Sequence, residues 1–310
     1  MLSHKRALVA ATLDTKIDEA LYVCHLLEAA GLPVHLVDLS TQEPPSNSIV
    51  SRLSSSTLQL TSADQIAVHH PRGMSDVFCG DRGAAVAAMT EAFEGFIKAQ
   101  DDVGGLLGIG GSGGTAMVTR AMRALPIGIP KVMVSTMASG DVAAYVGTCD
   151  ITMMYSVTDV AGLNRISRRV LGNAAHALAG MMLHGLPQEN HERPVFGFTM
   201  FGVTTPCVDR ARRALEEAGI EVVVFHVHPP NSVSLAPPLG PNVICRPELE
   251  FAPTEGLRWV WFRALQIRDM RVSRGNRGLE QVQEPLRRFT RPLKFNLQSS
   301  LCAQRGPPTG

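Results

Sequence analysis

The sequence predicts an α/β protein: an open, mostly parallel sheet with helices on both faces, followed by the start of a second α/β domain and an irregular tail. Three observations predict this class. From Arg6 onward, short aliphatic runs alternate with amphipathic stretches, as strands and crossover helices do in a parallel sheet. The composition is 45% hydrophobic, 18% charged and only 5% aromatic, so the core must be mainly aliphatic. A chain of 310 residues is long enough for two domains.

Each element of the first domain, residues 1–190, follows from its local pattern. Strands are expected where aliphatic residues run together, at 6–13, 34–39, 104–109, 130–135 and 150–155. Helices are expected over the amphipathic stretches at 16–30, 82–99, 114–124 and 162–184. The polar interval from Ser40 to Gly80 is longer than a usual connection, and it is either a mobile excursion or carries a short strand at 66–70.

A second α/β domain is expected to begin at about residue 195. Residues 195–226 have the pattern of its first strand, helix and strand, with Pro206 in the first helical turn and Gly219 at the C-terminal cap. After His226, prolines interrupt any regular pattern, and Arg and Lys outnumber Asp and Glu by twelve to six. We therefore expect 227–310 to be disordered or out of frame, the alternative being a divergent, partly disordered appendage.

A glycine-rich segment joins the strand at 104–109 to the helix at 114–124. Glycines let the backbone approach an anion closely, and the N–H groups and dipole of a helix N-terminus favour phosphate. The segment satisfies GxGxxG, but the next strand ends in Ser135 and Thr136 with no acid for a ribose before Asp141, which disfavours NAD(P). A P-loop is excluded because no Lys follows the last glycine. The alternative is a tight turn without a ligand.

Two further loops leave predicted strands at the same edge of the sheet. Residues 12–16 offer Lys16 for phosphate and Asp14 for Mg²⁺, which takes one or two carboxylates besides phosphate oxygens. Asp14 is equally well explained as the N-cap of the next helix. Residues 135–141 are small and rich in hydroxyl groups, which suits phosphate or ribose. In an open α/β sheet, such loops converge on one crevice.

A third group of polar residues surrounds the predicted strand at 150–155, and its members could line the same crevice. These residues are Asp150, Ser156, Thr158, Asp159 and Asn164. The alternative is that Ser156 and Asp159 cap the next helix. Metal-ligand spacings such as HExxH are absent from the sequence, as is the GxSxG motif of serine hydrolases, so neither class is supported.

The sequence also bears on location and partners. The six cysteines are widely spaced without CxxC, which predicts free thiols in a reducing, cytoplasmic compartment. The longest apolar run, from Leu171 to Leu186, contains Asn and two His residues, so no membrane span is expected. Nucleic-acid binding through the arginine-rich tail is not expected, because that tail is not predicted to fold.

Five motifs in the order of the chain resemble one known family. They are ATLDTK at 11–16, GIGGSGGT at 108–115, KVMVSTMASGD at 131–141, DITMMYSVTDVAGLN at 150–164 and FGVTTPCV at 201–208. Together they resemble the UPF0261 family, also called the Tm-1-like ATP-binding domain, over about Lys5 to His226. The resemblance implies two α/β domains, ATP with Mg²⁺ in the first, and a homodimer.

The resemblance also implies where the nucleotide binds. The expected binding residues are Gly110, Gly111, Ser112, Gly113, Gly114 and Thr115, with Asp14, Thr15, Lys16, Ser135, Thr136, Gly140 and Asp141 beside them. Asp14 is the expected metal ligand. No reaction is implied, so an ATP-binding protein stands beside a second hypothesis: an interaction or regulatory protein that inhibits or scaffolds a partner, with nucleotide only ordering the fold.

Overall fold

The computed structural model describes residues 5–42, 58–185, 195–200, 205–226 and 243–244. The chain separates into two compact units, residues 1–187 and 188–310. The first unit is a sheet of six parallel strands with helices on both faces, which confirms the predicted fold class.

The strand order creates a switch point in the middle of this sheet. In chain order the strands are β1 (Arg6–Ala11), β2 (Val34–Asp38), β3 (Gln59–Thr61), β4 (Val103–Gly110), β5 (Lys131–Ser135) and β6 (Thr152–Tyr155). They lie in the order β3-β2-β1-β4-β5-β6. The chain thus builds outward from β1 to β3 and then returns to place β4 on the other side of β1. Ligands of doubly wound folds bind at such a point, outside the carboxyl ends of the strands.

Six α-helices accompany these strands in the described part of the first unit. They are α1 (Leu13–Ala29), α2 (Ala63–Ala67), α3 (Arg82–Lys98), α4 (Ser112–Ala124), α5 (Ala143–Val146) and α6 (Arg165–Leu183). Polar caps explain where two of them begin: Asp81 accepts from the Ala84 N–H at α3, and Asn164 forms a capping box with Ser167 at α6. None of the described helices has the length and apolarity needed to cross a membrane.

Side chains alternate between two apolar cores on opposite faces of the sheet. In β1, Ala7 and Val9 pack with α1 and α6, whereas Leu8 and Ala10 pack with α2, α3 and α4. Strands buried on both faces are continuous aliphatic runs in the sequence, which is why the local pattern predicted them well.

The interval between Ser40 and Gly80 differs from the prediction. The short strand lies at Gln59–Thr61, and residues 63–67 form α2, so the predicted strand at 66–70 is wrong. A capping box decides this: the Ser62 N–H donates to Gln65 Oε1 at 2.9 Å, and the Ser62 side chain accepts from the Gln65 N–H. The possible excursion at 43–57 lies outside the described residues.

The described part of the second unit contains first a strand, then a helix and a strand, as predicted. These are β7 (Val195–Met200), α7 (Thr205–Glu217) and β8 (Glu221–His226), and the two strands are parallel. Pro206 lies in the first turn of α7, and Gly219 has φ 80° after its end, as expected of a C-terminal cap. Leu215 and Ile220 are buried against the partly buried Phe196, Phe198 and Val222.

Two residues of the predicted tail belong to this sheet. Val243–Ile244 form β9, which pairs in parallel with Val195 and Phe196, so the order is β8-β7-β9. The rest of 227–310 lies outside the described residues, and its disorder or reading frame stays a prediction.

Candidate functional site

The loops predicted to bind a ligand lie at the carboxyl edge of the first sheet. Ala10 of β1 lies beside Gly108 of β4, and Gly110 at the end of β4 lies beside Ser135 at the end of β5. The three strands therefore end together, on either side of the switch point. Residues 12–16, 110–115 and 135–141 follow them directly, so the structure brings the three predicted loops to one edge.

The N-terminus of α4 presents free amide groups at this edge. Gly111 is its N-cap residue, and no side chain among the described residues caps the helix. The first backbone bond of the turn runs from the Thr115 N–H to Gly111 O at 2.8 Å. In the described part of the chain, the N–H groups of Ser112, Gly113 and Gly114 consequently have no protein acceptor. Unsatisfied amides at a helix N-terminus form a site suited to an anion.

The glycines around this turn have different roles. A Cβ on Gly110 would lie 2.9 Å from backbone atoms of Gly114, so only glycine lets β4 and α4 approach this closely. A Cβ on Gly113 would meet Val86 of α3 at 3.7 Å, an ordinary contact. A Cβ on Gly111 would instead lie 3.7 Å from Thr136 Oγ1, on the side of the β5 loop. Gly110 is therefore structural, and Gly111 faces the predicted crevice.

Two of the predicted binding residues support the site from within. Thr115 and Ser135 are fully buried, and their hydroxyl groups are 2.6 Å apart. Ser135 Oγ also accepts the Met137 N–H at 2.9 Å. Neither side chain reaches solvent, and together they join α4 to the loop after β5. Their part in binding a ligand stays a prediction.

The start of α1 is built differently from the start of α4. The Leu13 N–H donates to Asp38 Oδ1 at 3.1 Å, and the Asp14 N–H donates to Ser40 Oγ at 3.0 Å. Asp38 Oδ1 also accepts from the N–H and the hydroxyl of Ser40, at 2.9 and 2.6 Å. The first amides of α1 are thus already bound, which leaves the α4 amides as the better anion site.

Asp38 is a residue that the sequence analysis missed. It lies at the end of β2, is almost fully buried, and holds the turn that carries Asp14 and Lys16. Burial raises its pKa above the usual range, although hydrogen bonds from Ser40 and Leu13 act in the opposite direction. The sequence signal that could have identified Asp38 is an acidic residue at the end of the predicted strand at 34–39.

The exposed side chains of the first loop remain available to a ligand. Asp14 and Thr15 are exposed, and the Thr15 hydroxyl donates to Asp14 Oδ1 at 3.3 Å. Lys16 is half-buried and makes no ion pair within the described chain. Its φ of −131° and ψ of 24° interrupt the helical geometry of α1, so the first turn is distinct from the rest of the helix. Asp14 lies in that first turn, and Thr12 occupies the N-cap position, so Asp14 is not the N-cap.

The loop after β5 is partly occupied by its own structure. A short 3-10 helix spans Thr136–Ser139, and the Asp141 carboxylate accepts the Ala143 N–H at 2.9 Å just before α5. Gly140 and Asp141 are exposed. The Thr136 hydroxyl of this loop lies next to Gly111, the N-cap residue of α4.

One residue of the third polar group, Asp150, lies away from this site. Asp150 precedes β6 and so lies at the opposite edge, where it accepts from the buried Lys131 at 2.7 Å. Burial acts to raise the pKa of Asp150, but hydrogen bonds from Lys131 and Gly128 hold it below the usual range. Asp150 was wrongly expected in the crevice. The crevice lies where the strands end, whereas Asp150 precedes the first residue of β6, Thr152.

Ser156, Thr158 and Asp159 line a different and smaller space. They surround a cavity of about 10 Å³ together with Ser167, which is the size of a single water molecule. The Ser156 hydroxyl donates to Thr158 O, and Asp159 accepts the Val160 N–H, so neither caps α6. Asn164 has that role.

Comparison with known proteins identifies the family of the chain. The N-terminal domain of the uncharacterised protein family UPF0261 matches residues 5–186, and its C-terminal domain matches residues 193–228. The chain belongs to the UPF0261 family. The predicted resemblance is thereby confirmed, and it includes all three loops of the carboxyl edge.

The relatives of this UPF0261 chain are bacterial and plant proteins. It is 48% identical to a UPF0261 protein of Rhizobium meliloti over 223 residues, which is 72% of this chain and 53% of the relative. It is 36% identical to the ToMV resistance protein Tm-1(GCR237) of Solanum lycopersicum over 242 residues, which is 71% of this chain and 31% of the relative. The chain thus spans about half the length of the bacterial relative and a third of the tomato one.

A solved structure resembles this UPF0261 chain only weakly. It is a Streptomyces glycosyltransferase complexed with thymidine diphosphate, with 13% identity and a TM-score of 0.28 over 72% of this chain and 68% of that one. A score this low says nothing about shared fold or ligand.

Proposed function

We propose that this UPF0261 chain binds ATP together with Mg²⁺ at the carboxyl edge of its first sheet. The observation that carries the proposal is the uncapped N-terminus of α4 at the switch point, with free N–H groups at Ser112, Gly113 and Gly114. A phosphate group satisfies such amides and interacts favourably with the helix dipole.

Side chains of the neighbouring loops suit the other groups of a nucleoside triphosphate. Lys16 adds a positive charge from the neighbouring loop, and Thr136 adds a hydroxyl group on the other side. Gly111 has φ −84°, so its backbone conformation does not itself require glycine. The absence of a side chain there leaves room beside Thr136.

The residues present also fit Mg²⁺ bound through phosphate. The described residues contain no cluster of three or more His, Cys, Asp or Glu side chains that could hold a metal alone. Mg²⁺ does not need such a cluster, because it is usually bound through one or two carboxylates and the substrate phosphates. Asp14 is exposed in the first turn of α1 and would supply that carboxylate.

Dinucleotide binding is less well supported. In the dinucleotide fingerprint the glycine loop follows the first strand and an acid at the end of the second strand holds the ribose. Here the glycine loop follows β4, and Asp38 at the end of β2 is buried and already hydrogen-bonded to Leu13 and Ser40. We therefore rank ATP above NAD(P).

A second candidate function is that of an interaction or regulatory protein. The name of the tomato relative describes resistance to a virus, and this relative matches 71% of the chain. In that case nucleotide orders the fold, and a partner protein is inhibited or scaffolded. We propose no reaction. We also propose a homodimer, following the family resemblance, and a cytoplasmic location, which the free thiols of Cys24, Cys79, Cys149 and Cys207 support.

Thermal unfolding of the full chain with different ligands tests ATP binding. ATP with Mg²⁺ should raise the melting temperature more than NAD⁺ does, since a ligand at 100 times its Kd adds about 2.7 kcal/mol of apparent stability. Lys16→Ala should weaken ATP binding more than adenosine binding. A larger shift with NAD⁺ would reverse the ranking, and saturable ATP binding without product formation would favour the regulatory candidate.

A further inference from the structure

Three exposed apolar side chains lie at the carboxyl ends of β5 and β6, on the same edge of the sheet as the α4 N-terminus. Met137 is 38% exposed, Tyr155 43% and Val157 54%. Apolar side chains exposed singly are ordinary, whereas a group of them at one edge marks a binding surface. Their exposure next to a proposed phosphate site suggests that they contact the remainder of the same ligand.

Hydrogen bonds hold these residues to one point of the sheet edge. Tyr155 lies beside Ser135 in the β5–β6 register. The Met137 N–H donates to Ser135 Oγ at 2.9 Å, and the Ser156 N–H donates to Ser135 O at 3.1 Å. Met137 is thus itself bonded to Ser135, and Tyr155 and Val157 lie on either side of Ser156, which is also bonded to it.

The alternation of β6 places Tyr155 on the same face of the sheet as α4. Met153 packs against the core formed with α3 and α4, and Tyr155 follows two residues later. Residues two apart in a strand share a face. Ser135 follows the same rule, since Met133 packs in that core and Ser135 contacts Thr115 of α4.

The backbone at Val157 is held in an unfavourable conformation. Its φ is 66°, in the left-handed region, and it is the one non-glycine residue with positive φ among the described residues. A branched side chain rarely adopts this conformation. The turn is closed by the Thr158 N–H, which donates to Ser156 O at 2.8 Å, so the valine is held outward at the edge.

The opposite side of the switch point is closed. Asp38 and Ser40 occupy the end of β2 with hydrogen bonds to Leu13 and Asp14. A nucleoside extending from the α4 amides toward β2 would meet this bonded turn. Toward β6 it would meet an aromatic ring, a thioether and a branched aliphatic group, which suit the flat face of a heteroaromatic base.

We infer that Met137, Tyr155 and Val157 form a platform for the nucleobase, so that the bound nucleotide extends from α4 toward β6 and not toward β2. This inference rests on the proposed function, because it places the base of the same nucleotide. The platform contacts the base by its apolar faces. Dinucleotides of the fingerprint type place their ribose near the end of the second strand, so the orientation here is the reverse.

Calorimetric titration of the full chain with ATP and with inorganic tripolyphosphate, both with Mg²⁺, tests the platform. Tyr155→Ala should weaken ATP about tenfold, as loss of one aromatic stacking partner does, and leave tripolyphosphate within about twofold. Val157→Gly should raise the melting temperature by relieving the positive φ, and should weaken ATP. The matched control is Ile127→Ala, which removes a side chain of 45% exposure ahead of β5, at the other edge.

The outcomes separate the platform from the phosphate site. Unchanged ATP affinity in both Tyr155→Ala and Val157→Gly would overturn the platform and leave the phosphate site supported. The same conclusion would follow if the wild-type chain bound tripolyphosphate as tightly as ATP. Wild-type chain that binds neither ligand would overturn the proposed function and the platform with it. Equal losses for both ligands in Tyr155→Ala would mean a general disturbance of the edge and would also overturn the platform.

Discussion

The hydroxyl groups of Thr115 and Ser135 lie 2.6 Å apart in the fully buried space between α4 and β5. This bond joins the helix that carries the free amides to the loop that carries Thr136 and Met137. Since Ser135 Oγ also accepts the Met137 N–H, one buried pair positions both sides of the proposed site.

Thr115→Val should destabilise the chain. The valine has the shape of threonine but leaves the buried Ser135 hydroxyl short of a partner, which costs about 1–3 kcal/mol. The control is Thr119→Val in the same helix and equally buried, whose hydroxyl bonds only to Thr115 O one turn before it. Urea unfolding compares the two. Equal losses of stability would mean that the bond to Ser135 has no special weight.

Gly111→Val should weaken ATP binding at least tenfold, about 1.4 kcal/mol, without unfolding the chain. The added side chain would stand toward Thr136, where we place the ligand, and the φ of −84° at this position suits any residue. Gly185→Val, after α6, is the matched control, because a Cβ there has nothing within 4 Å. Titration calorimetry measures both, and full ATP affinity in Gly111→Val would place the phosphates elsewhere.

Gly110→Ala should impair folding itself. Its Cβ would lie 2.9 Å from the Gly114 backbone, and overpacking of this kind costs about 1–3 kcal/mol. Gly180→Ala in α6 has nothing within 4 Å of the new Cβ and should stabilise the helix by up to about 1 kcal/mol. Thermal unfolding should show a lower melting temperature for Gly110→Ala and a higher one for Gly180→Ala than for the wild type. A Gly110→Ala chain as stable as wild type would show that β4 and α4 can move apart.

Asp38→Ala and Asp38→Asn should differ. Alanine removes the acceptor for Leu13 and Ser40 and leaves buried N–H groups unsatisfied, at about 1–3 kcal/mol each. Asparagine keeps an acceptor oxygen and removes a charge that burial disfavours. We therefore expect loss of stability and weaker ATP binding in Asp38→Ala, and recovery of both in Asp38→Asn. Equal ATP affinity in the wild type and Asp38→Ala would show that Asp38 does not position the α1 turn for ATP binding.

Acid should destabilise the chain through His35. This buried ring accepts from Arg6 at Nδ1 and bonds to the Thr61 hydroxyl at Nε2. Burial, and then the positive charge of Arg6, lowers its pKa from 6.5 to about 4. The unfolded chain therefore binds a proton first, so stability present above pH 6.5 is lost as the pH falls toward 4, by at most about 3 kcal/mol.

The variant His35→Gln separates this effect from that of Asp102. The hydrogen bond from Arg6 holds the pKa of Asp102 below its usual range, so its contribution is lost only at lower pH, below about 4. Urea unfolding of the wild type and His35→Gln at pH 7, 5 and 4 should show a shallower decline in the variant. Parallel declines would assign the acid sensitivity to other groups.

The sequence by itself determined the fold class and the place of the glycine loop. Strands buried on both faces, such as β1 and β4, are continuous aliphatic runs, and the turn from Gly110 to Thr115 lies between a strand and a helix in any arrangement. Helix starts were less well predicted: α1 begins at Leu13 instead of 16, because Asp38 and Ser40, more than 20 residues away, bind its first amides.

Only the tertiary structure decided which residues support the site and which face it. The strand order places β1 beside β4, the register places Ser135 beside both Gly110 and Tyr155, and burial turns Thr115 and Ser135 inward. Strand order and register also place Asp150 at the opposite edge, with Lys131, and Asp38 beneath the first turn of α1. Periodicity along the chain reports which residues are buried, whereas contacts between distant segments depend on strand order and register, which no local pattern contains.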